Sequence, residues 1–131
     1  MSTETNKQVV IDAYASVSAG NLAGFMDRLS DDVRWTFFGT HRFARTFHGK
    51  EDILKNLFGP LGERLDGSIK VQVKNTIAAG EQVVVEAQGE ARTKDGRDYN
   101  NTYCLVLRLE NGKIAEIHEY LDTELVKAIF G

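Results

Sequence analysis

Alternation of apolar and polar residues is sharpest between Tyr99 and Asp122, YNNTYCLVLRLENGKIAEIHEYLD, where two period-two runs flank Glu110-Asn111-Gly112-Lys113. An Asn-Gly pair between such runs signals a β-hairpin, because both central residues of the turn must accept positive φ. The first run carries Asn101, Tyr103, Leu105, Leu107 and Leu109 on one parity, with Thr102, Cys104, Val106 and Arg108 on the other. The second sets Ala115, Ile117, Glu119 and Leu121 against Ile114, Glu116, His118 and Tyr120. With the first-named set of each run facing inward, an amide, a phenol and a carboxylate enter an otherwise apolar interior at one end of the hairpin. Polar groups in such a place need hydrogen-bond partners or a chemical task.

Upstream the period changes. Val10, Tyr14 and Val17 recur at helical spacing between about Thr5 and Ser18, and Gly20 follows as a stop. Asn21 reads as the N-cap of a short second helix with Leu22, Phe25, Met26 and Leu29 on its apolar face, and Ser30-Asp31-Asp32 ends it. Val33 to Phe38 reads as a strand with aromatics on both faces. The segment from Gly39 to Gly49, GTHRFARTFHG, has no period and is expected to be a loop over a cavity mouth. A third helix follows from Lys50 to Leu65, and Pro60 should kink or split it. Ser68 to Ala79 and Gln82 to Thr93 alternate as strands, joined at Gly80-Glu81, and Lys94-Asp95-Gly96 turns into the central hairpin. Asp122 or Thr123 can cap a last helix from Glu124 to Phe130. The predicted order is ααβαββββα: one α+β domain over residues 1–131, in which a cone-shaped, curved, mainly antiparallel sheet wraps around the N-terminal helices.

Composition narrows the function classes. A length of 131 residues is enough for one full core, and a net charge of -3 without a basic cluster argues against nucleic acid. No apolar run is long enough to span a membrane. Cys104 is the single cysteine, so no intrachain disulfide can form, and a cytoplasmic location is the expectation. His41, His48 and His118 lack the paired spacing of a metal site, and no phosphate loop, serine elbow or dinucleotide fingerprint occurs. Neither a metal nor a cofactor is therefore expected.

The pattern as a whole resembles the nuclear transport factor 2 superfamily, and within it the SnoaL-like, ketosteroid-isomerase-related bacterial proteins. The resemblance is carried by VVIDAYASVSAGNLAGFMDRLSDDVRW, GTHRFARTFHGKEDIL, GPLGERLDG, VVVEAQGEARTKDGRDYNNTY and LENGKIAEIHEYLDT. It implies a cone holding a small, mostly apolar molecule, and a homodimer through the convex sheet face. The superfold hosts isomerases, cyclases, dehydratases, hydrolases and pure binding modules. The ketosteroid-isomerase acids do not transfer, because the positions of the general base and of the oxyanion-holding acid correspond to Phe37 and Leu105, and the first-helix tyrosine to Ala13, next to Tyr14. Against limonene-epoxide hydrolases, the catalytic positions correspond to Glu86, Gln88 and Glu119, and the strand-one water holders to Trp35 and Phe37. The resemblance thus implies that Glu86, Gln88 and Glu119 look into the cavity, with Asn101 and Tyr103 between them.

The residues' own parity pulls the other way at one place. Val83, Val85, Ala87 and Gly89 form the apolar set of their strand, which would turn Glu86 outward unless both sheet faces are covered. The candidate catalytic set is Glu86, Glu119 and Tyr103, since two carboxylates in a dry cleft raise one another's pKa and a phenol can donate to an oxyanion. The candidate substrate-binding set is Trp35, Phe37, Gln88, Asn101, Tyr14, His41 and Leu105. In the structural alternative, Glu86 pairs with Arg42 or Arg45, and Asn101 and Tyr103 bond the backbone. The functional expectation is cofactor-independent proton transfer on an apolar carbonyl compound. The alternatives are a non-catalytic binding or dimeric interaction domain, and an epoxide-hydrolase-like enzyme using water held by Glu119 and Tyr103.

Overall fold

The computed structural model describes residues 2–131. Its elements are α1 (Thr3–Ser18), α2 (Leu22–Asp27), β1 (Leu29–Phe37), β2 (Thr46–His48), α3 (Lys50–Ile53), a π-helical turn (Leu54–Phe58), α4 (Gly59–Arg64), β3 (Lys70–Ala79), β4 (Gln82–Glu90), β5 (Thr102–Glu110), β6 (Lys113–Leu121) and α5 (Thr123–Phe130). Six strands form one mixed sheet in the order β2-β1-β6-β5-β4-β3, antiparallel except for the parallel pair β1 and β6.

The hairpin read from Asn111-Gly112 is present as β5 and β6, with both turn residues at positive φ, 52° and 76°. Register shifts interrupt the ladders between Val73 and Asn75, between Arg108 and Leu109, and between Leu29 and Arg34. An unpaired residue in one strand bends it and sharpens its twist. The inner face of the sheet buries Val83, Val85, Leu105, Leu107, Leu109 and Ile117 in one core with Val10 and Ala13 of α1 and Phe25 of α2. Ser18 ties the end of α1 to the edge strand: its hydroxyl donates to the Val71 carbonyl at 2.9 Å and accepts from the Val71 N–H at 2.7 Å.

Several elements depart from the sequence expectations. β1 begins at Leu29, because Ser30-Asp31-Asp32 forms the irregular start of a strand and does not end a helix. The loop from Gly39 to Gly49 contains the edge strand β2, which pairs with β1. It is also pinned, since Asp52 accepts from Arg45 at 2.8 Å and from the His48 N–H at 2.8 Å, and the Arg42 N–H donates to the Gly131 carbonyl. The third helix is broken ahead of Pro60: the Gly59 N–H reaches back to Leu54, closing a π turn, and Pro60 occupies the first turn of α4, where its missing N–H is harmless. β4 stops at Glu90, and the path to β5 carries only the isolated bridges Leu65–Thr93 and Arg92–Asp98. Ile114 is buried although its parity predicted the outer face, because the shift at Arg108 brings it opposite Leu109.

Candidate functional site

The inner face of the sheet, α1 and the α3–α4 segment enclose an apolar cavity with about 670 Å³ of atom-free space, counted with its open mouth. Its polar content comes from few side chains: Glu119 on β6, Tyr103 on β5, Tyr99 just before β5, Tyr14 on α1, and His41 in the loop after β1. The remaining wall is hydrocarbon and aromatic.

Strand register explains the isolation of Glu119. β6 is central, and the residues opposite Glu119 are Phe37 on β1 and Leu105 on β5, so no polar side chain stands directly across from it on either neighbouring strand. Among the described residues its one side-chain hydrogen bond comes from the indole of Trp35, whose Nε1–H donates to Oε1 at 3.1 Å. Trp35 is itself fixed, stacked on Phe37 at 5.6 Å between ring centroids and met edge-on by Phe58 at 5.8 Å. Burial costs the ionised carboxylate far more than the indole N–H returns, and the pKa of Glu119 is pushed up from 4.5 to about 8. Near neutral pH this side chain is mostly an uncharged acid, with a carboxylate fraction that grows toward pH 8.

The phenols take the same environment in the opposite chemical sense. Burial raises Tyr14 and Tyr103 well above 10, and the Glu119 charge adds to both. Tyr99 is raised to about 12, again mainly by burial. All three therefore remain protonated. The Tyr99 hydroxyl accepts from Asn101 Nδ2 at 3.2 Å, whereas the hydroxyls of Tyr14 and Tyr103 make no bond of full hydrogen-bonding geometry among the described residues, Tyr103 lying close enough to the Tyr99 hydroxyl for the two to influence each other's titration. A buried, unpartnered O–H is costly, and two in one cavity with an uncharged acid leave O–H donors that a ligand oxygen can satisfy. Gly89 makes room for one of them: a Cβ there would stand 2.7 Å from Tyr103 Cε2, so the tyrosine ring lies directly over the β4 backbone.

Seven of the expected site residues line the cavity: Glu119, Tyr103, Tyr14, Trp35, Phe37, His41 and Leu105. Within that group His41 is a structural staple, since its Nε2–H donates to the Phe38 carbonyl at 3.1 Å and its Nδ1 accepts from the Phe43 N–H at 3.1 Å. Burial lowers its pKa, so the ring stays neutral in this arrangement.

Three other expectations are corrected. Glu86 lies on the exposed outer face, where its carboxylate accepts from Asn75 Nδ2 at 3.1 Å, because Val83, Val85 and Ala87 take the inward parity. Neither suggested arginine reaches it: Arg45 is paired with Asp52, and Arg42 lies over the Phe43 ring. Gln88 shares the outward parity, and its amide donates to the carbonyls of Gly89, Asn100 and Asn101. Asn101 is inward and buried, but its amide is committed: Oδ1 accepts from the N–H groups of Thr102 and Asp122, and Nδ2 donates to the Asp122 carbonyl and the Tyr99 hydroxyl. It fastens the start of β5 to the end of β6 and has no group left for a ligand.

Sequence reasoning missed Tyr99, although it shares the parity of Asn101 and Tyr103. It also missed Phe43, from an aperiodic segment, Leu61, on a helix face that reads as ordinary core, and Ile69, on a strand parity that reads the same way.

The model of the SnoaL-like domain matches residues 10–117. The chain belongs to the SnoaL-like family. The solved structures similar to this SnoaL-like protein include an NTF2-like protein of unknown function from Burkholderia pseudomallei, 23% identical over 99% of this chain and 98% of that one, with a TM-score of 0.85. Another NTF2-like protein, from Burkholderia thailandensis, is 26% identical over 100% and 99% of the two chains, with a TM-score of 0.84. A putative SnoaL-like polyketide cyclase from Jannaschia is 17% identical over 98% and 92%, with a TM-score of 0.79. A search of curated proteins gives no match. These likenesses establish the α+β cone. Among the described residues, no group of His, Cys, Asp and Glu comes together as a metal site, and no helix is long and apolar enough to cross a membrane.

Proposed function

We propose that this SnoaL-like protein transfers a proton on a mostly apolar carbonyl compound bound in the cone, using its own side chains as the acid and base. The observation that carries the reading is Glu119, a buried carboxyl whose pKa is raised to about 8, sharing an apolar cavity with two phenols that make no bond of full hydrogen-bonding geometry among the described residues. A ligand carbonyl oxygen supplies the acceptor that the Tyr103 and Tyr14 hydroxyls lack. The Glu119 carboxylate removes the proton on the carbon next to that carbonyl. The C–H bonding pair moves into the new carbon–carbon double bond, and the carbonyl pair moves onto oxygen, where the two phenols stabilise the enolate charge. Where the ligand carries a β,γ carbon–carbon double bond, the enolate is extended into a dienolate, and protonated Glu119 returns the proton to the γ carbon as the double bond moves into conjugation, which makes the net reaction an isomerisation. An enolate attacking a second carbonyl of the same ligand would give a cyclisation from the same groups. Trp35 acts as a positioning residue that holds Oε1 in place.

The reading is tested by incubating the protein in D2O with apolar ketones and following loss of the α-proton signals by NMR. The wild type should exchange at least one of them, with a rate that rises toward pH 8 and then levels off. Glu119→Gln should lower that rate by about 10²-fold or more. Undiminished exchange in Glu119→Gln would overturn the assignment, and binding without exchange in the wild type would make the cone a carrier.

We also infer that a second copy of the chain covers the outer sheet face. Phe38 and Tyr120 stack there at 4.8 Å while 41% and 46% exposed, beside the half-buried Cys104, Val106 and Val84. Apolar side chains on an open sheet face are what a partner surface would bury.

A further inference from the structure

The inner cavity is not the only apolar hollow. A second, with about 580 Å³ of atom-free space counted with its opening, adjoins it and shares Val17, Phe58, Leu61 and Ile69 as a common wall. This outer hollow lies between the end of α1, the start of α2, α4 and the loop from Gly67 to Ile69. Ser68 supplies its one polar side chain, whereas Glu119 and the phenols all belong to the inner cavity. Phe58, on the π-helical turn, and Ile69 belong to the wall that separates the two.

Three glycines border the outer hollow, and only two have a backbone reason to be glycine. Gly20 and Gly67 hold φ of +75° and +84°, where a side chain is strained. Gly62 sits inside α4 without a positive φ, and a Cβ there would meet nothing within 4 Å. Glycine weakens a helix interior relative to alanine, and no neighbour among the described residues requires it at this position. Gly62 is itself exposed at the rim of the outer hollow, and its effect is to leave that rim free of a side chain.

We propose that the two hollows form one binding channel for a linear, amphipathic carbonyl compound. Its carbonyl lies at Glu119, Tyr14 and Tyr103, which rests on the function proposed above. Its unbranched apolar tail passes the shared wall at Phe58 and Ile69 and lies over Gly62. Gly62 then sets the tail length that the protein accepts.

The test is a series of linear 2-alkanones from 2-hexanone to 2-dodecanone, titrated against the quenching of Trp35, the single tryptophan, with calorimetry as a second readout. In the wild type, affinity should rise about fourfold per added methylene through the long members, the gain expected for moving one CH2 out of water. Gly62→Leu and Gly62→Trp should leave the shortest ketones unchanged and abolish the gain for the longest. Gly62→Ala, which adds one methyl to a helix, keeps the comparison available if the larger variants fold poorly, and should weaken only the longest members. A wild-type gain that stops at short chains, or Gly62 variants that bind the whole series as the wild type does, would overturn the proposal. Deuterium exchange of the shortest ketone separates this outcome from the parent reading. Exchange without any length dependence sinks the channel alone, and length-dependent binding without exchange sinks proton transfer and leaves the channel.

Discussion

Glu119→Gln should stabilise the protein at alkaline pH and leave it nearly unchanged at pH 5. In the folded chain the carboxyl titrates at about 8, and in the unfolded chain at its ordinary 4.5. Between those values the native state holds a proton that the unfolded state has released. Stability therefore falls as pH rises through this window and flattens above it. At about 1.4 kcal/mol per pH unit, the gap is worth about 5 kcal/mol, a large share of the roughly 5–15 kcal/mol that holds a domain of this kind together. Glutamine has the shape of the protonated acid, can still accept the Trp35 N–H bond, and does not ionise. Thermal melts of both proteins across pH 5 to 9.5 should superimpose at the acid end and diverge with rising pH, by on the order of 15 °C at the alkaline end for a chain of this length. Two curves that stay parallel over the whole range would refute the reasoning, because they would mean that Glu119 ionises as freely in the folded chain as in the unfolded one.

Tyr103→Phe and Tyr14→Phe each delete a buried hydroxyl that makes no bond of full hydrogen-bonding geometry among the described residues, so each should be neutral or stabilising by about 1 kcal/mol in chemical denaturation, yet slow α-proton exchange by about 10²-fold. Asn101→Ala breaks the tie between β5 and Asp122 and should cost about 2–4 kcal/mol in the same assay, because the N–H groups of Thr102 and Asp122 lose their acceptor. Tyr120→Glu should shift the protein from dimer to monomer in light scattering without lowering its exchange activity per chain; a dimer that persists would count against the outer-face interface.

The parts of this account that were legible in the sequence are those fixed by local geometry. Asn111-Gly112 set the central hairpin, and period-two parity then placed Tyr103, Leu105 and Glu119 on the inner face, where they are found. The same rule applied to Val83, Val85 and Ala87 correctly turns Glu86 and Gln88 outward; they were expected inside only by correspondence with another enzyme's positions, which outweighed their own pattern. Asn101 was correctly read as inward, but its partners include backbone groups at Asp122, 21 residues away, and no local pattern reveals that the amide is already saturated. β2 is three residues long and aperiodic, so nothing in the sequence separates it from the loop around it. The π turn likewise leaves no periodic trace beyond the Gly59-Pro60 pair that follows it, although it puts Phe58 in the wall shared by the two hollows. The pairing of Trp35 with Glu119 needed the parallel register of β1 and β6, a contact between strands far apart in the chain.

The most direct measurement is a carbon-detected NMR titration of the glutamate side-chain carboxyls, with the Glu119 resonance assigned by its loss in Glu119→Gln. One carboxyl should keep its proton through neutral pH and titrate near pH 8, its midpoint moving when an apolar ketone is bound. A Glu119 midpoint in the ordinary range near 4.5, unmoved by any such ligand, would contradict that expectation.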